Sequence, residues 1–367
     1  MIFSFCLISC SPKDDANNEV EEIIFSKKDI LLEHYLEYKF IPLETCDESL
    51  LGHLTKVEIV EDKIYILDAY IGHNIYVFDM NGKFLSTIGE KGSGPKEFVS
   101  PFDFIIDTKN RSIIIDDRHK QRLLYYNLDN YEFVTSKKIP FSYTDFHLLE
   151  NDCFVFLYMA GYDTTERGRE GKYAVITDSS FDIINSFYDA DFRSHYSSSI
   201  SKNRIYKSNQ KTYLYHHLFP YVHEVDAKGG RCVHKISFDS FSFPPTDALK
   251  VDKEYSEKLS KTDYISAYAL YESSELIFSQ FTKGIGPPYF GLYNKKEKES
   301  FLFDLRNFAM SSGLEVVMIP RGATDDYIIA SIAMSQPVEN IRNQKLKELI
   351  ENRASDENPI ICLFKLK

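Results

Sequence analysis

From residue 38 onward, most of the chain is a succession of short alternating apolar and polar runs, separated by turn residues. KIYILDA (Lys63 to Ala69) leads into NIYVFDM (Asn74 to Met80), then the dipeptide Asn81-Gly82, then KFLSTIG (Lys83 to Gly89). Asn-Gly between two alternating runs predicts a tight hairpin, because both residues tolerate the positive φ of the favoured turn. The same sequence of runs then returns. RSIIIDD (Arg111 to Asp117) repeats KIYILDA, QRLLYYNLD (Gln121 to Asp129) repeats NIYVFD, and YEFVTSKKI (Tyr131 to Ile139) repeats the third strand. Divergent copies fill Tyr143 to Asp189, Arg204 to Phe238 and Tyr264 to Asp304. A last unit holds LEVVMIP, DYIIASI and the terminal PIICLFKLK.

A four-strand unit returning at about 40–50 residues is the pattern of a propeller blade. One such sheet cannot bury both of its faces alone, and packing neighbours radially solves that. Counting the units predicts an all-β fold: a six-bladed β-propeller of four-stranded antiparallel blades over residues 37–367. The run Tyr38 to Leu43 is expected to join the C-terminal strand in one blade, closing the ring and removing a free edge. Two stretches depart from the strand rhythm. Thr246 to Lys261 follows Pro244-Pro245 and carries Leu249, Tyr255 and Leu259 among charges. Val338 to Arg353 has Ile341, Leu346, Leu349 and Ile350 at helical spacing. Both are expected to be short helical insertions.

Composition supports strands: the chain has 28 Phe, 25 Tyr and no Trp, and Phe and Tyr favour pleated, half-buried surfaces. The formal charge is −12 and no dense Lys/Arg cluster occurs. That excludes nucleic acid as the expected partner, since phosphate backbones repel such a surface. No CxxC or Cys/His spacing suggests structural zinc. A monomer is expected.

The N-terminus carries an address. Ile2 to Ser9 is apolar but far shorter than the roughly 20 residues a bilayer span needs. Leu7-Ile8-Ser9-Cys10 resembles a bacterial lipobox, in which the cysteine is lipidated and becomes the mature N-terminus. On that reading residues 1–9 are the shortened remainder of a signal, Cys10 bears the lipid and 10–36 form a tether. Lys13, Asp14 and Asp15 resemble the surface-export signal of some Gram-negative lipoproteins. The expected location is the outer membrane, exposed at the cell surface, with a periplasm-facing anchor as the alternative. Two or more acyl chains hold a protein stably on a membrane.

GEKGSGPKEFVSPFDFIID (Gly89 to Asp107) resembles the inter-blade segment of NHL-type propellers, with Lys96 where a glycine usually stands. With FIPLET, YNKKEKES and NPIICLFKLK, the chain resembles the bacterial six-bladed propeller lipoproteins over nearly all its length after Cys10. Such proteins imply a binding or scaffold role outside the cytoplasm, with a glycan, a peptide or an envelope protein as partner. The alternative is a calcium-dependent enzyme of the lactonase or lyase kind, since some six-bladed propellers hold calcium in the central tunnel. Asp68, Asp116 and Asp117 end recurring strands and are the candidate oxygen ligands; closing strand-end turns is their other expected role. No other cofactor is expected.

No nucleophile elbow or His-Glu-x-x-His helix is present, so no catalytic residue is assigned. GEKGSGP lacks the Gly-Lys-Ser/Thr and following helix of a phosphate-binding loop. Tyr and Arg together make hot-spot chemistry. Arg193, Tyr196, Arg204, Tyr206, Tyr213, Tyr215 and Tyr221, with His217, are therefore the candidate ligand-binding face; strand packing is their other reading.

Overall fold

The computed structural model of the chain describes residues 20–158, 172–189, 204–239, 241–245, 262–284, 286–333, 338–354 and 356–367. Their strands form six sheets. Blade I comprises Lys56–Val60, Lys63–Asp68, Asn74–Asp79 and Phe84–Thr87. Blade II comprises Phe104–Asp107, Ser112–Asp117, Arg122–Asn127 and Phe133–Lys138. Blade III comprises Asp145–Leu148, Phe154–Leu157, Lys172–Thr177 and Ile183–Asp189. Blade IV holds Ile205–Ser208, Lys211–Tyr215, Tyr221–Asp226 and Gly229–Phe238. Blade V holds Ile265–Glu272, Leu276–Lys283, Pro288–Asn294 and Glu299–Asp304. Blade VI holds Val317–Ala323, Ile328–Ala333, Ile360–Leu366 and, from the other end of the chain, Leu36–Pro42. The last two pair antiparallel from Leu36↔Leu366 to Pro42↔Ile360. The inner strand of blade VI lies against the inner strand of blade I.

Six clusters of buried side chains among the described residues fill the spaces between neighbouring blades. The second strand of each blade shows why both of its faces are apolar. In SIIIDD, Ile113 and Ile115 join the cluster with blade I, while Ile114 joins the cluster with blade III. Successive side chains alternate across the sheet, and both faces are covered. Each fully buried Ile contributes roughly 1.5–3 kcal/mol. The expected hairpin forms at Asn81-Gly82. Gly82 has φ 84° and a side chain there would strike the Pro42 carbonyl, so only glycine fits. The Asp79 carboxylate accepts from the Asn81 and Lys83 amides (2.8 and 2.9 Å).

Two features depart from the expectation. Glu21–Phe25, inside the stretch expected to be a tether, is a fifth strand running parallel to Gly229–Phe238 at the outer edge of blade IV. Ile23 and Phe25 are fully buried there, and Phe25 stacks on Phe238 at 5.2 Å. A short helix, α1 (Leu305–Ser311), follows blade V. It is capped by Asp304, which accepts from the Asn307 amide, and it buries Phe308 against Phe278 and Phe290. The stretch expected to be helical near the C-terminus contains a 3-10 turn at Val338–Asn340 and α2 (Gln344–Glu351). Asn343 caps α2, and Leu346 and Ile350 are buried. The other expected helix, at 246–261, lies outside the described residues, as do Cys10, Lys13, Asp14 and Asp15.

Candidate functional site

The inner strand of each blade has one edge paired to its neighbour and the other turned to the ring axis. Side chains along that edge meet water rather than another sheet, so charge is tolerated there. Around the axis lies a cavity of about 390 Å³, lined from all six blades. Blade I supplies Lys56 and Glu58, blade III Asp145 and His147, blade IV Lys207 and blade VI Arg321, with Asp103 from the approach to blade II.

Most of these groups are tied together. Lys56 Nζ donates to Asp103 Oδ1 (3.0 Å) and the Phe104 carbonyl (2.7 Å), and sits 2.8 Å from Glu58 Oε1. Burial opposes its charge, but Asp103 and Glu58 overcome that and hold its pKa above the ordinary lysine value. Asp145 forms an ion pair with Arg204. Burial opposes the charge on Arg204 as well, but Asp145, Tyr173 and Tyr215 together outweigh it and raise the pKa. His147 gives its Nδ1–H to the Leu148 carbonyl at 3.1 Å. Burial, then Lys207 and Lys56, push its pKa well below the usual value, so the ring is neutral and Nε2 is an acceptor. Burial also lowers the pKa of Lys207 and of Arg321. The cavity thus offers donors of both fixed and adjustable charge around a neutral imidazole.

The aspartates expected to bind metal lie elsewhere and are separately occupied. Asp68 is fully buried, and its carboxylate accepts from the amides of Gly52 (2.8 Å), His53 (2.9 Å), Tyr70 (3.3 Å) and Ile71 (2.9 Å). Burial works against that charge, yet the amides together hold its pKa below the ordinary value. Asp116 accepts from Tyr143 OH (2.6 Å) and Arg118 Nε (3.1 Å). Burial still raises its pKa to about 6. Asp117 accepts from Arg122 Nε at 2.9 Å. None of the three lines the axial cavity, and the described residues contain no group of three His, Cys, Asp or Glu placed to share a metal. Strand-end amides and local arginines meet these carboxylates first.

The tyrosine-rich region is interior. Arg193 and Tyr196 lie outside the described residues. Tyr206 OH donates to Glu272 Oε2 (2.9 Å), which shares its carboxylate with Lys295 (2.7 Å). Tyr213 stacks on Tyr206 at 5.4 Å. Tyr215 is fully buried and its oxygen accepts from the Leu270 amide (2.9 Å). His217 is buried and stacks on His216 at 4.5 Å, with its pKa lowered to about 3 by burial and Arg204. Tyr221 is half-buried at the start of the third strand. Of this set, Tyr206 lines the cavity, and Arg204 reaches it through Asp145. Tyr213 and Tyr215 pack between blades IV and V, and His217 is buried, so these three form no exposed face.

A family model described as a six-bladed β-propeller, DUF5128, matches residues 12–331. The chain belongs to the DUF5128 family. Among solved structures, it is similar to a protein of Bacteroides fragilis NCTC 9343 inferred to be exported. That match has 26% identity and a TM-score of 0.85, and covers 94% of this chain and 99% of that one. It also resembles a DUF4221 family member from Bacteroides vulgatus ATCC 8482. There the identity is 12% and the TM-score 0.56, over 91% of this chain and 99% of that one; this second likeness is one of fold.

In this DUF5128 propeller the glycine-rich segment between blades I and II is a braced turn. The Gly94 amide donates to Glu97 Oε2 (2.7 Å), Arg122 Nη1 to the Pro95 carbonyl (2.8 Å) and Tyr126 OH to the Lys96 carbonyl (2.6 Å). Sequence reasoning missed Lys56, Glu58, Asp103, Asp145, His147, Lys207 and Arg321 as cavity residues. A signal for some of them was present. Lys56 and Glu58 in KVEIV, His147 in DFHL and Lys207 in IYKS are charged or polar positions within first strands. Only superposing the blade units shows that those positions face one axis.

Proposed function

We propose that this chain is a lipid-anchored binding or scaffold protein outside the cytoplasm, with its axial cavity as the ligand site. The observation that carries the binding reading is the cavity itself. It is large enough for a small ligand, and convergent polar groups in a preformed concavity are the usual form of a small-molecule site. The likeness to a Bacteroides protein inferred to be exported supports a place beyond the inner membrane, as does the lipobox-like Leu7-Ile8-Ser9-Cys10. Among the described residues no helix is long and apolar enough to cross a membrane. Attachment is assigned to lipid on Cys10 from its lipobox-like setting, with Lys13, Asp14 and Asp15 directing the chain to the outer surface. The ligand is drawn from glycans and peptides of the surroundings or from an envelope protein.

The test is a glycan and peptide screen on the full chain, with Ile106→Trp as the variant that fills the cavity. Ile106 is a half-buried lining residue. A binder whose affinity falls at least about tenfold in the variant is the expected result, equivalent to about 1.4 kcal/mol. No binder, or one indifferent to the filled cavity, refutes the ligand site. Stoichiometric calcium accompanied by hydrolase activity would favour an enzyme instead. Cys10→Ala tests the anchor separately. The protein is expected to move from the membrane to the soluble fraction, and unchanged retention would sink lipidation.

A further inference from the structure

The charged groups of the axial cavity are not all served alike. Each carboxylate that lines it is engaged. Glu58 and Asp103 hold Lys56, Asp103 also accepts from the Phe104 amide (2.7 Å), Asp145 holds Arg204, and Asp325 accepts from the Asn209 amide (2.7 Å). The cations divide differently. Arg321 gives its Nε–H to the hydroxyl of Ser331 at 3.0 Å. Among the described residues neither Arg321 nor Lys207 forms an ion pair with a carboxylate. Lys207 reaches the water of the cavity while the walls strip part of its hydration. Glu58, Asp107 and Glu150 act on it at a distance but do not offset that loss.

Lys207 is exposed to the cavity and Arg321 is half-buried, and a cation partly withdrawn from water without a counter-charge gains from meeting an anion. Two of them flank blade V, one on the inner strand of blade IV and one on that of blade VI, facing the same cavity. Tyr271, from the inner strand of blade V between them, lines the same wall. The guanidinium suits a planar, two-oxygen acceptor, and the ammonium adds a point charge beside it.

We propose that the axial cavity takes a small molecule bearing a carboxylate, which Lys207 and Arg321 bind together. This inference rests on the reading of the cavity as a ligand site and adds the charge of what it takes. Such a carboxylate has two sources among the partners considered, an acidic sugar and the free C-terminus of a peptide.

Thermal melts of the full chain, at matched ionic strength, separate them. The probes are galacturonate against galactose, and N-acetyl-glycylglycine against its amide. At least one acid is expected to raise Tm by about 2 °C or more, because a ligand that binds only the folded chain stabilises it. Its neutral counterpart is expected to have little effect, and the shift is expected to vanish in Lys207→Met and in Arg321→Met. Whichever acid acts names the source. Without any probe, Arg321→Met is expected to melt no lower than the parent, whereas a structural arginine would lower it. If the acids match chloride, or their shift survives both substitutions, the inference is wrong. A shift from galactose or the amide alone would also overturn it, while leaving the cavity a ligand site.

Discussion

Asn358→Leu is expected to lower the unfolding free energy by about 3–5 kcal/mol, although leucine is close to asparagine in size. Asn358 lies just before the C-terminal strand and is only 2% exposed. Its Nδ2 donates to the carbonyls of Glu44 (2.7 Å) and Ser49 (2.8 Å), and its Oδ1 accepts from the Leu51 amide (2.8 Å). Its own amide donates to Thr45 Oγ1 (2.8 Å), which the substitution leaves in place. One side chain therefore satisfies three backbone groups of the loop that follows the N-terminal strand of blade VI. Leucine would leave the Ser49 carbonyl and the Leu51 amide without partners, each at a cost of about 1–3 kcal/mol when buried, while the Glu44 carbonyl would keep the Ser49 hydroxyl (2.9 Å). Arg353 braces the same junction, with Nη2 donating to the carbonyls of Leu43 (2.9 Å) and Asn358 (2.7 Å). Denaturant melts measure the loss. A change below about 1 kcal/mol would show that the loop finds water or relaxes, and the junction would then not hold the chain ends as inferred.

That junction was hidden in the sequence, and the reason is general to this fold. Local signals were legible. Asn81-Gly82 specifies its hairpin through φ, and KIYILD and SIIIDD declare strands buried on both faces. The Leu346 and Ile350 spacing marks α2. Partner identity was not legible. Asp68 reads equally as a calcium ligand or a turn residue until the amides of residues 52, 53, 70 and 71 are seen around it. Tyr206, Tyr213 and Tyr215 read as a binding face by composition. Composition carries no information about which sheet covers them, and blade V does. Glu21–Phe25 is too short and too close to charges to announce a strand; its pairing with Gly229–Phe238 is set some 200 residues away. The cavity charges failed for the same reason, since each is an ordinary polar position within its own strand.

Arg204→Met is expected to destabilise the fold by about 3–5 kcal/mol, and adding Asp145→Leu is expected to restore most of that loss. Arg204 precedes the inner strand of blade IV, and Asp145 opens that of blade III, so their ion pair links two blades beside the cavity. Asp145 is 4% exposed. Removing the arginine strands a carboxylate whose side chain is only 5% exposed to the cavity, with Tyr173 and Tyr215 beside the arginine's place. Removing both charges leaves an apolar contact between walls that are already apolar, as in the cluster containing Val155, Leu157, Ile205 and Leu214. The restoration distinguishes a cost of stranding from an intrinsic gain of pairing. If the double variant were as unstable as the single, the pair itself, with its geometry, would be what holds blades III and IV in register. If Arg204→Met alone cost less than about 1 kcal/mol, the carboxylate would have to find another donor or take up a proton. The lysine and arginine left unpaired in the cavity make the contrast informative. The cation that meets a protein carboxylate is expected to be needed for stability, and those that meet none are expected to be dispensable until a ligand arrives.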